Sequence, residues 1–245
     1  MKKFFERLKE ALYTLATGWH YETSLRRLRM LESRKPSPEA RWSIPFEYRG
    51  RGFFKRIRPM QSEFEIRELY LFVLKRRPKV VVEIGTCHGG TLYLWCQAAD
   101  PQATLISVDL AAGEFGGGYR PCRAQLYQQF KLPGQTVHLV QADSHESATF
   151  EKIRQLIGQH RVDFLFIDGD HTYEGVRRDF ELYRPLLADD GVIALHDILP
   201  RHDQPRIEVW KFWEELKRTH HQTTEWVERE PNKRAIGIGL VQEAR

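Results

Sequence analysis

The most informative stretch of the chain joins an apolar run to a glycine-rich turn. Residues 80–90 read VVVEIGTCHGG, in which β-branched residues lead to an acid and then to three glycines. Such a run is typical of a buried parallel strand, and glycines let the backbone turn sharply and come close to a ligand. Helical spacing begins at Thr91. The turn is therefore predicted to open a helix whose free N–H groups can hold an anion.

Apolar runs and amphipathic segments alternate along the rest of the chain. Further strands are predicted at residues 104–110, 137–142, 162–167 and 191–195, and two short strands at 223–227 and 235–241 form a closing hairpin. Helices are predicted at 61–75, 120–130, 173–187 and 206–220. This alternation favours an α/β fold with a doubly wound, mostly parallel sheet, in which ligands bind at the carboxyl ends of the strands.

The first 60 residues have a different pattern. Apolar residues of the first 15 positions fall on one helical face and lysines and arginines largely off it, which predicts an amphipathic helix over residues 1–30. This helix packs on the main domain or on a second subunit, or it rests on an anionic membrane. Residues 41–59 mix aromatic and basic residues without a period, and we predict a lid segment over the ligand entrance. We place the domain boundary between residues 60 and 61.

Composition narrows the classes of protein. A chain of 245 residues with 41% hydrophobic and 29% charged residues suits one α/β domain, here residues 61–245, with an extension. The net charge of +5 fits a mildly anionic partner, and without a recognisable motif we expect no nucleic acid. Three cysteines without a C-x-x-C pair favour reduced thiols and a cytoplasmic location. We find neither a signal peptide nor an apolar run of membrane-spanning length.

Acids at the strand ends predict an adenosine-type ligand. Asp109 ends the second strand, where a carboxylate can accept both ribose hydroxyls. Asp143 and Ser144 follow the third strand, where they can bond an adenine edge, with a helix cap as the alternative for Asp143. A dinucleotide fingerprint needs glycine at position 87, which is Cys87. A cofactor with a small carboxylate therefore fits better than a pyrophosphate, and Glu83 is placed to accept from its ammonium group.

The fourth and fifth predicted strands end in Asp168-Gly169-Asp170-His171 and His196-Asp197. Because the carboxyl ends of parallel strands share one edge, we expect both clusters to face the crevice of Gly85 and Asp109. An imidazole is suited to proton transfer at neutral pH, so His171 is a candidate base. The alternative is a capping or buried hydrogen-bonding histidine. We expect Asp170 to cap the helix that follows.

These segments carry a resemblance to a known family. The stretches EIGTCHGG, IDGDHTYEGVRRDF and LHDI, together with Asp109 and the closing hairpin, resemble a class I S-adenosylmethionine-dependent methyltransferase over residues 61–241. The closest likeness is to the branch of cephalosporin-hydroxylase-type proteins and metal-dependent macrolide-sugar O-methyltransferases. This resemblance implies a seven-stranded sheet of order 3-2-1-4-5-7-6 with the last strand antiparallel.

The resemblance also implies site residues. S-adenosylmethionine would be bound by Glu83, Gly85, Thr86, Gly90, Asp109, Asp143, Ser144 and Asp168. A divalent metal ion such as Mg²⁺ or Mn²⁺ would be held by Asp168, His196 and Asp197. His196 stands where those relatives carry a glutamate, and its nitrogen shifts the preference from Mg²⁺ toward Mn²⁺, Fe²⁺ or Zn²⁺. His171 would be the catalytic base, and His196 a second catalytic candidate.

The predicted function is methyl transfer from S-adenosylmethionine to a hydroxyl of a small polar acceptor such as a sugar or glycoside. The acceptor pocket is predicted to be formed by residues 41–59, 113–119 and 200–206. One alternative is a non-catalytic cofactor-binding module that serves an assembly through its N-terminal helix. A nucleotide-dependent oxidoreductase is a weaker alternative because of Cys87. A homo-oligomer and a peripheral membrane contact through the first helix are further candidate interactions.

Overall fold

The computed structural model describes residues 2–111, 113, 115, 117–219, 222–231, 233 and 235–242, without the side chains of 2–16. Its strands are β1 (Val80–Ile84), β2 (Thr104–Asp109), β3 (Thr136–Gln141), β4 (Val162–Ile167), β5 (Leu187–His196), β6 (Thr223–Trp226) and β7 (Ile238–Gln242). Its helices are α1 (Lys2–Arg34), α2 (Ile44–Glu47), α3 (Glu63–Arg76), α4 (Gly90–Ala98), α5 (Ala124–Tyr127), α6 (Ser147–Ile157), α7 (Tyr173–Tyr183) and α8 (Val209–Thr219). Short 3-10 turns lie at Pro38–Ser43, Gly52–Phe54, Pro121–Arg123 and Arg184–Leu186.

The seven strands form one sheet of order β3-β2-β1-β4-β5-β7-β6, as predicted. Strands β1 to β5 are parallel, and β7 runs antiparallel to both β5 and β6. The predicted closing hairpin is therefore present. Strand β5 starts earlier than predicted, at Leu187, and its register with β4 shifts between Val162 and Phe164. The predicted helix over residues 120–130 is wrong in extent, because only a 3-10 turn and the four residues of α5 are helical.

Side chains alternate between the two faces of the sheet. Val81, Phe164 and Ala194 belong to a buried cluster that includes residues of α3, α4 and the N-terminal region. Val82, Leu165 and Ile193 belong to a second cluster that includes residues of α6, α7 and α8. Both faces are covered, which accounts for the continuous apolar runs that predicted parallel strands.

The N-terminal region departs from prediction. Helix α1 extends to Arg34, beyond the predicted residue 30, and the side chains of its predicted apolar face lie outside the described residues. The expectation of a lid over residues 41–59 is corrected: Ile44, Tyr48 and Phe54 are fully buried in the cluster that includes α3 and α4. These side chains bury too much apolar surface to leave the segment free over an entrance. Over the described part of the chain, no helix combines the length and hydropathy of a membrane span.

Candidate functional site

Two adjoining cavities lie at the carboxyl ends of the parallel strands. The smaller, with a volume of about 150 Å³, lies between the ends of β1, β2 and β3 and includes Asp143 and Ser144 in its wall. The larger, about 610 Å³, extends past the ends of β4 and β5 and includes His171. Gly85 and Asp109 line both cavities. The strand-end residues thus share one crevice, as the sequence pattern predicted.

The glycine turn is shaped by close backbone packing. Gly85 has φ +100°, and a Cβ there would collide with the carbonyl oxygen of Asp168. Cys87 has φ +43°, so this non-glycine residue takes the left-handed conformation that the turn requires. Its backbone N donates to Asp109 Oδ2 at 2.7 Å. The turn therefore brings β1 and β4 together and holds the acid that ends β2.

Asp109 is a nearly buried acid that is held by backbone donors. Its Oδ1 accepts from the backbone N of Gly118 at 3.0 Å, in addition to the bond that Oδ2 receives from Cys87. Burial raises the pKa of Asp109 above its ordinary value, and the backbone N–H groups of Cys87, Gly118, Leu110 and Thr86 only partly oppose this. Because Asp109 lines both cavities, it is the acid that a hydroxyl donor in the crevice would meet.

Glu83 has no exposed surface. Its carboxylate accepts from Trp95 Nε1 of α4 at 3.0 Å and from Ser107 Oγ of β2 at 2.6 Å. Burial raises the pKa of Glu83 to about 7, although these hydrogen bonds lower it. The residue faces α4 rather than the crevice. A direct bond to a cofactor ammonium group, as the sequence suggested, would require Glu83 to leave these partners.

Thr86 and Gly90, two other predicted cofactor residues, also face the protein interior. Thr86 is 2% exposed, and its hydroxyl lies 2.5 Å from Ser107 Oγ. A Cβ on Gly90 would collide with the carbonyl oxygen of Ile57. This placement supports a role in shaping the turn and packing α4, and gives neither residue a side-chain contact with the crevice.

The loop after β3 contains a residue that the sequence reasoning missed. His145 lines the smaller cavity beside Asp143 and Ser144, and its Nε2 lies 3.2 Å from Oδ1 of Asp179 on α7. Asp179 is fully buried, and its carboxylate raises the pKa of His145 despite the burial of the ring. In the same loop, Ser144 O accepts from Tyr183 Oη at 2.7 Å. Helix α7 thus holds the loop at two points.

Four titratable side chains meet at the ends of β4 and β5. His171 Nδ1 lies 2.7 Å from Asp197 Oδ2, and His196 Nδ1 lies 2.9 Å from Asp168 Oδ1. His196 Nδ1 is also 3.2 Å from Asp197 Oδ2, which joins the two pairs. Asp197 and His196 are almost completely buried, while Asp168 and His171 are partly exposed to the larger cavity. We call these four residues the acid–imidazole cluster.

Electrostatics decides the protonation states in this cluster. Burial alone would lower the pKa of each histidine, but Asp197 and Asp168 outweigh it and raise the pKa of both His171 and His196. For Asp197, burial acts to raise the pKa, yet His196 and His171 hold it well below its usual range. Asp197 and the two imidazoles therefore stabilise one another's charged forms.

Two further polar residues complete the cluster: Gln61, which was not predicted as a site residue, and Arg201, which lies in the predicted acceptor segment 200–206. Gln61 Nε2 donates to Asp168 Oδ2 at 2.7 Å from the start of α3. Arg201 Nη1 donates to Asp197 Oδ1 at 3.1 Å from the loop after β5. Asp197 itself has φ +63°, a strained conformation for a non-glycine residue at a strand end.

A possible metal-ligand set differs from the predicted one in a single residue. Ligand atoms of Asp168, His171 and Asp197 all lie within 4.8 Å of one another, so His171 joins the two acids where His196 was predicted. The buried Nε2 of His196 has no hydrogen-bond partner in the described part of the chain. Two carboxylates with imidazole nitrogens suit a borderline divalent ion. The donor set present therefore fits such an ion.

The beginning of α7 corrects one smaller expectation. Thr172 is the N-cap residue, and its hydroxyl accepts from the backbone N of Gly175 at 3.0 Å. Asp170, predicted to be the cap, instead accepts from the backbone N of Thr172 at 2.9 Å. Asp170 therefore orders the turn before α7 and also lines the smaller cavity.

Comparison with known sequences gives one family and two relatives. The sequence model of a family described as a methyltransferase domain matches residues 82–198. An uncharacterised protein of Sinorhizobium fredii is 30% identical over 143 residues, 57% of this chain and 15% of its own length. An uncharacterised protein of Acanthamoeba polyphaga mimivirus is 29% identical over 150 residues, 61% of this chain and 65% of its own length. The chain therefore spans less than two thirds of either relative.

Solved structures with the same fold are also similar. An O-methyltransferase of Bacillus cereus, solved with SAH, aligns at TM-score 0.52 and 17% identity over 72% of this chain and 79% of its own. The O-methyltransferase of tomaymycin synthesis from Streptomyces achromogenes, solved with SAM, aligns with a TM-score of 0.55 and 14% identity. The alignment covers 84% of this chain and 88% of its own chain. At these identities the likeness concerns the fold.

Proposed function

We propose that this chain is a class I S-adenosylmethionine-dependent methyltransferase that methylates a hydroxyl group of a small polar acceptor. The observation that carries this proposal is that Asp109 and His171 line one cavity. A cofactor held at Asp109 would present its methyl group toward the acid–imidazole cluster. Oxygen as the acceptor atom is also suggested by the two structural neighbours, which are named O-methyltransferases.

The smaller cavity is the proposed adenosyl site. Asp109 would accept the ribose hydroxyls, and the loop of Asp143 and Ser144 would face the adenine edge. Gly85 and Gly169 line both cavities, and a side chain at Gly85 would meet the backbone of Asp168. The methionine end would therefore lie along the bare backbone of the turn, between the two cavities.

His171 is the proposed base. With Nδ1 donating to Asp197, its Nε2 is left as the atom that takes the proton of the acceptor hydroxyl. Phe115 lines both cavities, and the centroid of its ring lies 5.1 Å from that of the His171 ring. Asp197 would fix the tautomer and stabilise the imidazolium that forms. When bound, S-adenosylmethionine would supply the methyl group: its S–CH3 bond would break as the acceptor oxygen bonds to the methyl carbon, the hydroxyl proton would pass to His171, and S-adenosylhomocysteine would leave.

A divalent ion is a proposed second cofactor. Asp168, Asp197 and an imidazole of the cluster would hold it, and when bound it would lower the pKa of the acceptor hydroxyl and fix its orientation. The contribution of the chain itself does not depend on the ion: Gln61 orients Asp168, and Arg201 orients Asp197.

Labelled methyl transfer tests the proposal. Tritiated S-adenosylmethionine is incubated with the protein and a panel of sugars, glycosides and phenols, with and without Mn²⁺, and product is quantified. We expect turnover on at least one hydroxylated acceptor and a loss of about 100-fold in kcat for His171→Gln. S-adenosylhomocysteine should bind His171→Gln and wild type alike. An exposed histidine, His160→Gln, is the matched control. Unchanged turnover in His171→Gln would refute the role of this base.

A further inference from the structure

Helix α1 has two sides that differ in exposure. Leu28 is fully buried in the cluster that includes residues of α3 and α4, whereas Trp19 is 56% exposed. The two residues are nine positions apart, which is two and a half turns at about 3.6 residues per turn, so they lie on opposite sides of the helix. Met30, eleven positions after Trp19, shares its side and is 40% exposed. The side of Trp19 therefore faces away from the described part of the domain.

The apolar positions of the first half of α1 continue this exposed side. Leu8, Leu12 and Leu15 precede Trp19 by 11, 7 and 4 positions, which are close to whole turns of a helix. Because α1 is a single helix, these positions fall on the side of Trp19 and opposite the side of Leu28. The apolar face that the sequence predicts is thus aligned with the exposed side of α1, and not with the side that packs on the domain.

Four basic side chains of neighbouring segments form what we call the basic patch: Arg51, Lys55, Arg56 and Arg120. All four are exposed, and none forms an ion pair with another residue that the structure describes. The guanidinium of Arg51 lies over the Trp19 ring, 5.1 Å from its centroid, which joins the patch to the exposed side of α1.

The sequence around the patch contains few acids to neutralise it. Residues 49–62 contain five basic residues and no acid, and only Arg58 among them pairs with a carboxylate, that of Glu63. Residues 17–31 of α1 add three arginines and one acid, Glu22. The surface formed by these two segments is therefore strongly positive.

The backbone of the patch is held by buried partners. The guanidinium of Arg123 donates to the carbonyl oxygens of Phe53, of Arg56 at 2.5 Å and of His88 at 3.1 Å. The backbone N of Arg51 donates to Oγ of Ser24 on α1 at 2.9 Å. The loop is therefore attached both to the glycine turn and to α1, and it presents its basic side chains next to Trp19.

We propose that the exposed side of α1 and the basic patch together dock onto an anionic lipid membrane. Tryptophan is favoured at the membrane–water interface, and basic side chains next to it attract anionic headgroups. Leucines at whole-turn spacing would enter the acyl boundary, which has no equivalent in a nucleic acid. A second copy docked through the same surface would place two basic patches against each other. The proposal is independent of the reaction in the crevice.

Vesicle flotation tests the proposal. The full chain is mixed with vesicles of phosphatidylcholine, either alone or with about 30 mol% phosphatidylserine, and the bound fraction is measured after centrifugation. We expect a partition coefficient at least about 10-fold higher on the anionic vesicles. Most of this difference should be lost in about 0.5 M NaCl, because salt screens exposed charges.

Two variants assign the binding to this surface. Trp19→Ser and the double variant Lys55→Gln/Arg56→Gln should each lower partitioning onto anionic vesicles by about 10-fold. Helices α6 and α8, which cover the other face of the sheet, supply matched controls that should bind as wild type does: Lys152→Gln/Arg218→Gln and Trp210→Ser. All four variants should bind S-adenosylhomocysteine like wild type, so that failure of this proposal and failure of the proposed function are distinguishable.

Three vesicle results would overturn the inference: no binding to the anionic vesicles, equal binding to both kinds of vesicle, and anionic binding that both surface variants retain. Light scattering without vesicles and titration with polyuridylate identify the true occupant when vesicles do not bind. A dimer that Trp19→Ser dissociates would assign the surface to a second copy of the chain. Polyuridylate binding that is lost in Lys55→Gln/Arg56→Gln would assign it to a nucleic acid.

Discussion

Two buried carboxylates, one behind the glycine turn and one at the end of β5, show opposite electrostatics. Glu83 has 0% and Asp197 1% of its surface exposed. The partners of Glu83 are the neutral donors of Trp95 and Ser107, and burial raises its pKa to about 7. Asp197 is surrounded by His171, His196 and Arg201, and its pKa lies well below its usual range. The charge of the neighbours, more than burial, decides whether a buried acid is ionised.

This contrast separates two parts of the site. The region of Glu83 is a packed support for the turn, and it presents backbone and Asp109 to the crevice. The region of Asp197 is a charged cluster in which Asp197, His171 and His196 shift one another's pKa values. We therefore expect substitutions near Asp197 to affect chemistry and substitutions near Glu83 to affect stability.

The largest expected effect is that of Asp197→Asn. An uncharged amide cannot stabilise the imidazolium of His171, and it leaves the buried guanidinium of Arg201 without its ionic partner. We expect kcat on the best acceptor of the panel to fall by about 100-fold, as for His171→Gln, measured as labelled methyl transfer. Asp190→Asn, with a side chain 69% exposed, is the control. Activity within about threefold of wild type would remove Asp197 from the catalytic cluster.

Glu83→Gln is expected to change the pH dependence of stability. The folded-state pKa of about 7 lies above the ordinary glutamate value of 4.5, so the unfolded chain gives up this proton at lower pH than the folded protein. The contribution of Glu83 to the free energy of unfolding is fully present below pH 4.5 and is lost as the pH rises through 7. Between pH 4.5 and pH 7, the free energy of unfolding of wild type should fall by about 3 kcal/mol relative to that of Glu83→Gln.

Urea unfolding of both proteins at several pH values between 4.5 and 8 measures this difference. Glu230→Gln, whose side chain is 67% exposed, provides the same chemical change at the surface and should run parallel to wild type. A difference between wild type and Glu83→Gln that stays constant across the range would show that Glu83 is ionised in its buried site.

The smallest of these effects is expected at His145. Replacing it by Gln removes the ring that pairs with buried Asp179 and so loosens the loop of Asp143 and Ser144. We expect the Kd for S-adenosylhomocysteine to rise by about 10-fold, while kcat at saturating cofactor changes by less than about threefold. His160→Gln is the exposed control. An equal loss of kcat and affinity would indicate general damage to the fold.

The sequence predicted the strands and most of the helices well because the hydrophobic patterns that indicate them are local. Apolar runs predicted the strands and their alternation with helices, whereas the sheet order came from the resemblance to class I methyltransferases and was confirmed. The segment of residues 41–59 was misjudged because its aromatic residues are buried against α3 and α4, and no period along the chain reveals a tertiary contact. Strand alternation contains one signal that the sequence analysis did not use. Glu83 lies on the same face of β1 as Val81, and this face points toward α4.

The sequence predicted only those residues of the candidate site that lie at the ends of strands. Asp109, Asp168, His171 and Asp197 follow parallel strands directly, so their shared edge could be inferred. Gln61 lies 107 positions from Asp168, and Asp179 lies on a helix 34 positions after His145. These pairings depend on how helices dock on the sheet. Arg201 lies in a loop without regular structure, where sequence gives no direction for a side chain.

The central claim is that the crevice at Asp109 holds the cofactor beside the acid–imidazole cluster. Calorimetric titration of wild type and Asp109→Asn with S-adenosylhomocysteine tests it most directly, with thermal melting to verify that the variant is folded. We predict saturable one-to-one binding by wild type and an affinity at least about 10-fold lower for Asp109→Asn, since hydrogen bonds to the ionised carboxylate are lost. Equal affinity in the two proteins, or no binding by wild type at millimolar ligand, would contradict the claim.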